Sequence, residues 1–196
     1  MHPRLRELQR TLEQVDAAHV EQWGRYLGDA LAAGRRLFAC GNGGSAAEAQ
    51  HLTAELTGRF QNERRPLSAI ALHADTSSVT AIGNDYGYRE VFARQLRAHA
   101  RRGDVLLCLS TSGASENVLA AAMAARELGV VSWALTGPDP SALLAACDDA
   151  VRVPSRDSAT VQEVHLTLIH LLCQTIDATC GAAAPRQRLR TEEATA

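Results

Sequence analysis

From Arg36 onward the chain alternates short apolar runs with amphipathic segments, and no other feature constrains its fold as strongly. Strand-type runs fall at residues 37–40, 68–72, 104–109, 130–135 and 150–153. Between them the apolar spacing predicts helices over 45–57, 76–82, 89–100, a stretch ending at Leu128, a short one through Ala146, and a long one over 160–180. The run Val105-Leu106-Leu107-Cys108-Leu109 has no polar alternation, as expected of a central strand buried on both faces. Strands and helices in turn, joined by short links, predict an α/β fold with a parallel sheet covered on both faces. Ligands in such folds sit at the carboxyl ends of strands.

Residues 4–33 precede the first strand and carry Leu5, Leu8, Leu12 and Val15, then Val20, Trp23, Leu27 and Leu31, at helical spacing. They predict one long or two shorter helices ended by Gly34, packed on the sheet domain or on a neighbouring subunit. The expected organisation is N-terminal helices over 1–34, a single α/β domain over 35–180 and a polar, flexible tail over 181–196.

Charge and composition narrow the function by exclusion. A net charge of −2 gives no sign of a nucleic-acid or membrane-surface binder. No run is apolar and long enough to span a bilayer, and the N-terminus leads into no signal-peptide core. Five cysteines without CxxC spacing read as buried thiols of a reducing cytosol. All 20 basic residues are Arg. That excludes a Schiff-base lysine and the lysine of a Walker A loop.

Two loops carry the chemistry. In the first, Cys40-Gly41-Asn42-Gly43-Gly44-Ser45 follows a strand and opens a helix, so backbone N–H groups point out toward a ligand. Ser45 and Glu48 fit a capping box, with Ser45 at N-cap. His51 and Glu55 are four apart and share a helix face. Such a pair can hold a metal or move protons, though it also suits a solvated helix surface. In the second loop, Ser110-Thr111-Ser112-Gly113-Ala114-Ser115 offers four hydroxyls at a helix start, which suits a phosphate without any lysine. The plainer reading is a serine-rich cap.

The last helix carries Gln162, His165 and His170. Gln162 and His170 are eight apart, about 12 Å along a helix. His165 is nearer to Gln162, and spacing alone does not choose between the two histidines. Gly83-Asn84-Asp85-Tyr86-Gly87 reads as a turn that could also deliver an amide and a carboxylate to a polyol. Arg59 is either a surface charge or an anion contact.

Four segments in combination, CGNGGSAAEAQHLTAELTGRF, AIGNDYGYREVFARQL, GDVLLCLSTSGASENVLAA and VPSRDSATVQEVHLTLIH, resemble the sugar-isomerase (SIS) domain, and within it the phosphoheptose isomerases. The resemblance runs from Arg36 to Cys180. It implies a flavodoxin-like three-layer α/β sandwich, assembled as a homotetramer with active sites at subunit interfaces. It also implies one divalent ion per subunit, usually zinc, on His51, Glu55, Gln162 and His170. The implied substrate contacts are Asn42, Gly43, Gly44, Ser45, Arg59, Asn84, Asp85, Ser110, Thr111, Ser112 and Ser115. The family usually has Arg two residues before the glutamine of the last helix; this chain has Thr160.

The implied reaction converts sedoheptulose 7-phosphate to D-glycero-D-manno-heptose 7-phosphate by proton transfer through an enediol. Glu55 is the expected base and His170 its acid/base partner. The alternative is a non-catalytic SIS protein that binds the bacterial replication initiator as an assembly factor. Such a protein has no need of the His51/Glu55 pair or of His170, so their presence favours the enzyme.

Overall fold

The structure is a computed structural model that describes residues 1–181, and of residue 181 the backbone alone. The rest of the expected tail, 182–196, lies outside the described residues.

The N-terminal segment forms two helices, α1 (Pro3–Glu13) and α2 (Ala17–Ala32). The break is set by Asp16, whose side chain accepts from the His19 N–H (3.0 Å) and starts the second helix. Then come β1 (Leu37–Cys40), α3 (Gly44–Thr57), β2 (Ala69–Ala71), α4 (Thr76–Tyr86), a 3₁₀ turn (Tyr88–Glu90) and α5 (Ala93–His99). The chain continues through β3 (Val105–Ser110), α6 (Glu116–Leu128), β4 (Val131–Thr136), α7 (Ala142–Ala146), β5 (Asp149–Arg152) and α8 (Ser158–Gly181).

The five strands are parallel and ordered β2-β1-β3-β4-β5. This is the flavodoxin-like order, whose topological switch point lies between β1 and β3. Strand residues alternate between two cores. Leu37, Ala39, Val105, Leu107, Leu109, Trp133 and Leu135 face α2, α3 and α8. Phe38, Cys40, Leu106, Cys108 and Ala134 face α5, α6 and α7. The expected three-layer sandwich therefore follows from β1, β3 and β4 having apolar residues on both faces.

The helix α2 lies close against α8 of its own chain. A Cβ added at Gly24 or Gly28 would come within 2.5–2.8 Å of Thr175 or Thr179, so only glycine admits this approach. At the start of α2 the Trp23 indole N–H donates to Asp149 Oδ2 (2.8 Å), and His19 Nε2 lies 2.6 Å from the same oxygen. Trp23 also stacks on Trp133 (4.9 Å, 7°), tying the N-terminal helices to β4 and β5.

Three local expectations are corrected. The capping box does not form: α3 begins at Gly44 after an N-cap at Gly43, and Ser45 is inside the helix. The chain reaches that start through Gly43 at φ +56°, a conformation that side-chain-bearing residues rarely take. Freed from capping, Glu48 is buried against α8, its Oε2 3.8 Å from His165 Nδ1. Residues 83–86 are not a turn but the end of α4, which Asp75 caps through the Ser78 N–H (3.1 Å). The segment expected as one helix from Arg89 is divided into the 3₁₀ turn and α5, which begins only at Ala93.

Candidate active site

Both glycine/hydroxyl loops leave the carboxyl ends of strands on the two sides of the switch point, the first after β1 and the second after β3. They are tied together by a reciprocal amide pair. Asn42 Nδ2 donates to Asn117 Oδ1 (2.9 Å), and Asn117 Nδ2 donates back to Asn42 Oδ1 (2.8 Å). Tyr88 Oη donates to the same Asn42 oxygen at 3.4 Å. The sequence reading missed Asn117 and Tyr88; the one available signal for Asn117 was an amide two residues beyond the serine loop.

The serine loop folds its hydroxyls inward. Ser110 Oγ lies 3.1 Å from Ser115 Oγ and 3.5 Å from Ser112 Oγ, and it accepts from the Gly113 N–H (3.1 Å). Gly113 has φ +62°, and a Cβ there would come within 2.7 Å of Thr136 Oγ1 and closer still to Ser141 Oγ. Neither α3 nor α6 has a side-chain cap, like the short α5 and α7. By contrast α2, α4 and α8 each draw an Asp onto their first N–H groups. In the first turn of α6 the Val118 N–H is taken by Asn117 Oδ1 (3.0 Å), and the N–H groups before it, like that of Gly44 at the start of α3, have no side-chain acceptor among the described residues. Beside the serine loop is a cavity of about 330 Å³ lined by Thr111, Ser112, Asp139, Arg156 and Ser158, among others. Arg156, which the sequence reading passed over, gives that cavity a cation.

Behind the elbow, α3 and α8 bring three ring and carboxyl groups together. His51 Nε2 is 3.0 Å from His170 Nε2 and 3.4 Å from Glu55 Oε1. Of the two histidines of α8, His170 is the one beside His51. His165 has no exposed surface, and neither ring nitrogen has a hydrogen-bond partner. Successive residues are about 100° apart around a helix, so His165 and His170 point about 140° apart. Gln162 packs its amide against Gly44, where a Cβ would be 2.5–2.7 Å from its three terminal atoms.

The chemistry of His51, Glu55 and His170, two imidazoles and a carboxylate, is of the kind that binds a divalent ion. Two ligands on one tetrahedral zinc lie about 3.3 Å apart. The His51–Glu55 separation matches this, and the His51–His170 approach is a few tenths of an ångström shorter. Among the described residues no group of three or more His, Cys, Asp and Glu side chains is placed to hold a metal ion by itself.

Other expected site residues are placed less centrally. Asn84 Nδ2 donates to Asp85 Oδ1 (2.8 Å), and among the described residues neither hydrogen-bonds to the two loops. Arg59 is exposed, with Nη1 donating to the Gln61 carbonyl (3.2 Å). Thr160, where the family usually has Arg, is buried, and its hydroxyl donates to Asp157 Oδ2 (2.8 Å) in the cap of α8.

A flavodoxin-like sheet with a glycine elbow and a serine loop flanking its switch point defines the class, and the SIS-domain family model matches residues 4–137. The phosphoheptose isomerase of Streptomyces coelicolor is 61% identical over 163 residues, 83% of this chain and 71% of that protein. That of Halorhodospira halophila is 49% identical over 181 residues, 91% of each. Among solved structures, the phosphoheptose isomerase of Neisseria gonorrhoeae superposes with a TM-score of 0.81 at 42% identity, covering 88% of this chain and 92% of that one. The chain belongs to the phosphoheptose isomerases, a family of SIS-domain enzymes. Likeness to the Vibrio vulnificus NanR protein, at 17% identity and a TM-score of 0.62, extends to the fold alone.

Proposed function

We propose that this isomerase converts sedoheptulose 7-phosphate to D-glycero-D-manno-heptose 7-phosphate. The observation that carries the reading is the meeting of His51, Glu55 and His170 from two helices more than a hundred residues apart in sequence. A binding-only member of the fold has no use for that meeting.

The phosphate binds in the serine loop, where the hydroxyls of Ser110, Thr111, Ser112 and Ser115 and the uncapped start of α6 supply neutral donors. Asn42, Gly43, Gly44 and Ser45 bind the sugar along the elbow, and Arg59, Asn84 and Asp85 contact its outer hydroxyls. Anchoring the distant phosphate spends binding energy on orientation at the reacting carbons. Glu55 takes a proton from C1 of the ketose and returns it to C2. His170 gives a proton to O2 and takes one from O1, so the enediol forms and collapses with no net change in protons. His51, Glu55, Gln162 and His170 are the residues that would hold a divalent ion, zinc being the first choice. Such an ion supplies polarisation of the substrate carbonyl.

The protein acts as a homotetramer in the cytosol. Supporting this, α4 is an eleven-residue helix without a buried residue, which a second copy would cover. All five cysteines are free, as suits a reducing compartment.

The test is turnover of sedoheptulose 7-phosphate by wild type, Glu55→Gln and His170→Gln. Each variant is expected to lose about 10²–10⁴-fold in kcat. Full activity in either removes that residue from its role, and an inactive wild type overturns the substrate.

A further inference from the structure

The proposed reaction needs the His170 imidazole held against Glu55, yet the two stand on different helices. A buried ion pair ties the loop after α3 to α8. Arg64 Nε donates to Asp177 Oδ1 at 2.7 Å, and both side chains are 3% exposed. The rest of the guanidinium closes the end of α3: Nη2 donates to the Glu55 carbonyl (2.7 Å) and Nη1 to the Leu56 carbonyl (2.9 Å). One side chain therefore grips the backbone of the proposed base itself.

Asp177 reaches the other partner. It lies seven residues beyond His170, two turns along α8 and within about 20° of the same face. Its second oxygen accepts from the Gln61 and Asn62 N–H groups (3.1 and 3.2 Å), pinning the loop that follows α3. The neighbouring loop residue is Phe60. Its ring stacks on His170, with centroids 5.7 Å apart and planes at 27°. His51 is on the imidazole as well, at 5.1 Å between centroids. The imidazole of His170 is thus flanked by His51 and by Phe60, which belongs to the loop that Asp177 pins.

We propose that Arg64, Asp177 and Phe60 form one positioning device, which sets the His170 imidazole against Glu55 and fixes α3 relative to α8. None of the three is a catalytic residue: Arg64 acts through the Glu55 backbone, Phe60 through the ring of His170, and Asp177 through both. Lysine cannot replace Arg64, because an ammonium lacks the planar fork that meets a carboxylate and two carbonyls at once. This inference rests on the proposed isomerase reading and names what orients its acid/base pair.

The experiment measures kcat and KM for sedoheptulose 7-phosphate in wild type, Arg64→Lys, Asp177→Asn and Phe60→Leu, each normalised to its folded fraction by thermal melt. Misplacement by about 1 Å costs on the order of 10²-fold. Arg64→Lys and Asp177→Asn are expected to lose about ten- to a hundredfold in kcat with KM within about twofold, because the phosphate loop is untouched. Phe60→Leu, which leaves the ion pair whole, is expected to lose kcat in the same sense. In Arg64→Ala, added guanidinium is expected to restore part of kcat. Wild-type kcat in folded Arg64→Lys or Phe60→Leu overturns the device, as does a rise in KM at constant kcat. If the ion-pair variants do not fold, Phe60→Leu alone decides. A wild type without turnover overturns the reaction reading instead, so the two failures are distinct.

Discussion

Replacing Gly44 by Ala separates the geometry of the site from the stability of the fold. The added Cβ would lie 2.5–2.7 Å from Nε2, Oε1 and the amide carbon of Gln162. Carbon contacts settle near about 3.5 Å, so the amide must retreat by roughly 1 Å. The obstacle is the far end of a flexible side chain, not backbone, and the cost is one strained rotamer, about 0.5–1.5 kcal/mol. Against that, alanine in a helix is favoured over glycine by up to about 1 kcal/mol. The two nearly cancel, and the melting temperature is expected to stay within about 4 °C of wild type. Activity is another matter. A displacement of about 1 Å at a positioned group costs on the order of 10²-fold, or about 2.7 kcal/mol of barrier. Calorimetry and a coupled sedoheptulose 7-phosphate assay on one preparation read both quantities. A kcat/KM within twofold of wild type would show that Gln162 has no part in the reaction. A melting temperature lower by ten degrees would show that the backbone, and not the amide, absorbs the clash.

Chelation followed by dialysis is expected to lower turnover at least about tenfold, with zinc restoring it; full activity in metal-free protein would remove the ion from the site. Ser110→Ala takes away the hydroxyl that accepts from the Gly113 N–H and faces Ser112 and Ser115. Its expected effect is a KM raised about tenfold with kcat little changed, and the reverse pattern would place the phosphate elsewhere. At Asp149, partial burial works against the charge, but hydrogen bonds from Trp23, His19 and the Ala150 N–H outweigh it and hold the carboxyl below the usual carboxylate range. A depressed carboxyl stabilises the fold above the unfolded value of about 3.9, and that stability is lost as pH falls through the folded value. Urea midpoints of wild type should therefore drop faster below about pH 4 than those of Asp149→Asn; parallel curves would refute this. Burial pushes the Cys173 thiol up to about 12, so a thiol reagent at pH 8 should label it only on unfolding, as mass spectrometry of the labelled peptides would show.

What the sequence determined by itself is the layered fold and the position of both loops. A parallel strand covered on both faces must be apolar at successive residues, so β3 and β4 are legible as runs such as Val105–Leu109 without any partner. The glycine and serine loops are legible for the same reason: their chemistry is local to the turn between a strand and a helix. The tertiary structure alone decided what crosses between elements. It turned Glu48 from a cap to the interior, carried α4 through Asn84 and Asp85, and brought Asn117 to Asn42. It also brought His170 to His51, set Phe60 on that imidazole, and joined Arg64 to Asp177. Periodicity records which face of a helix is apolar. It does not record how far that helix is turned or slid against its neighbour, and at about 100° per residue that rotation sends His170 to His51 and His165 to Glu48.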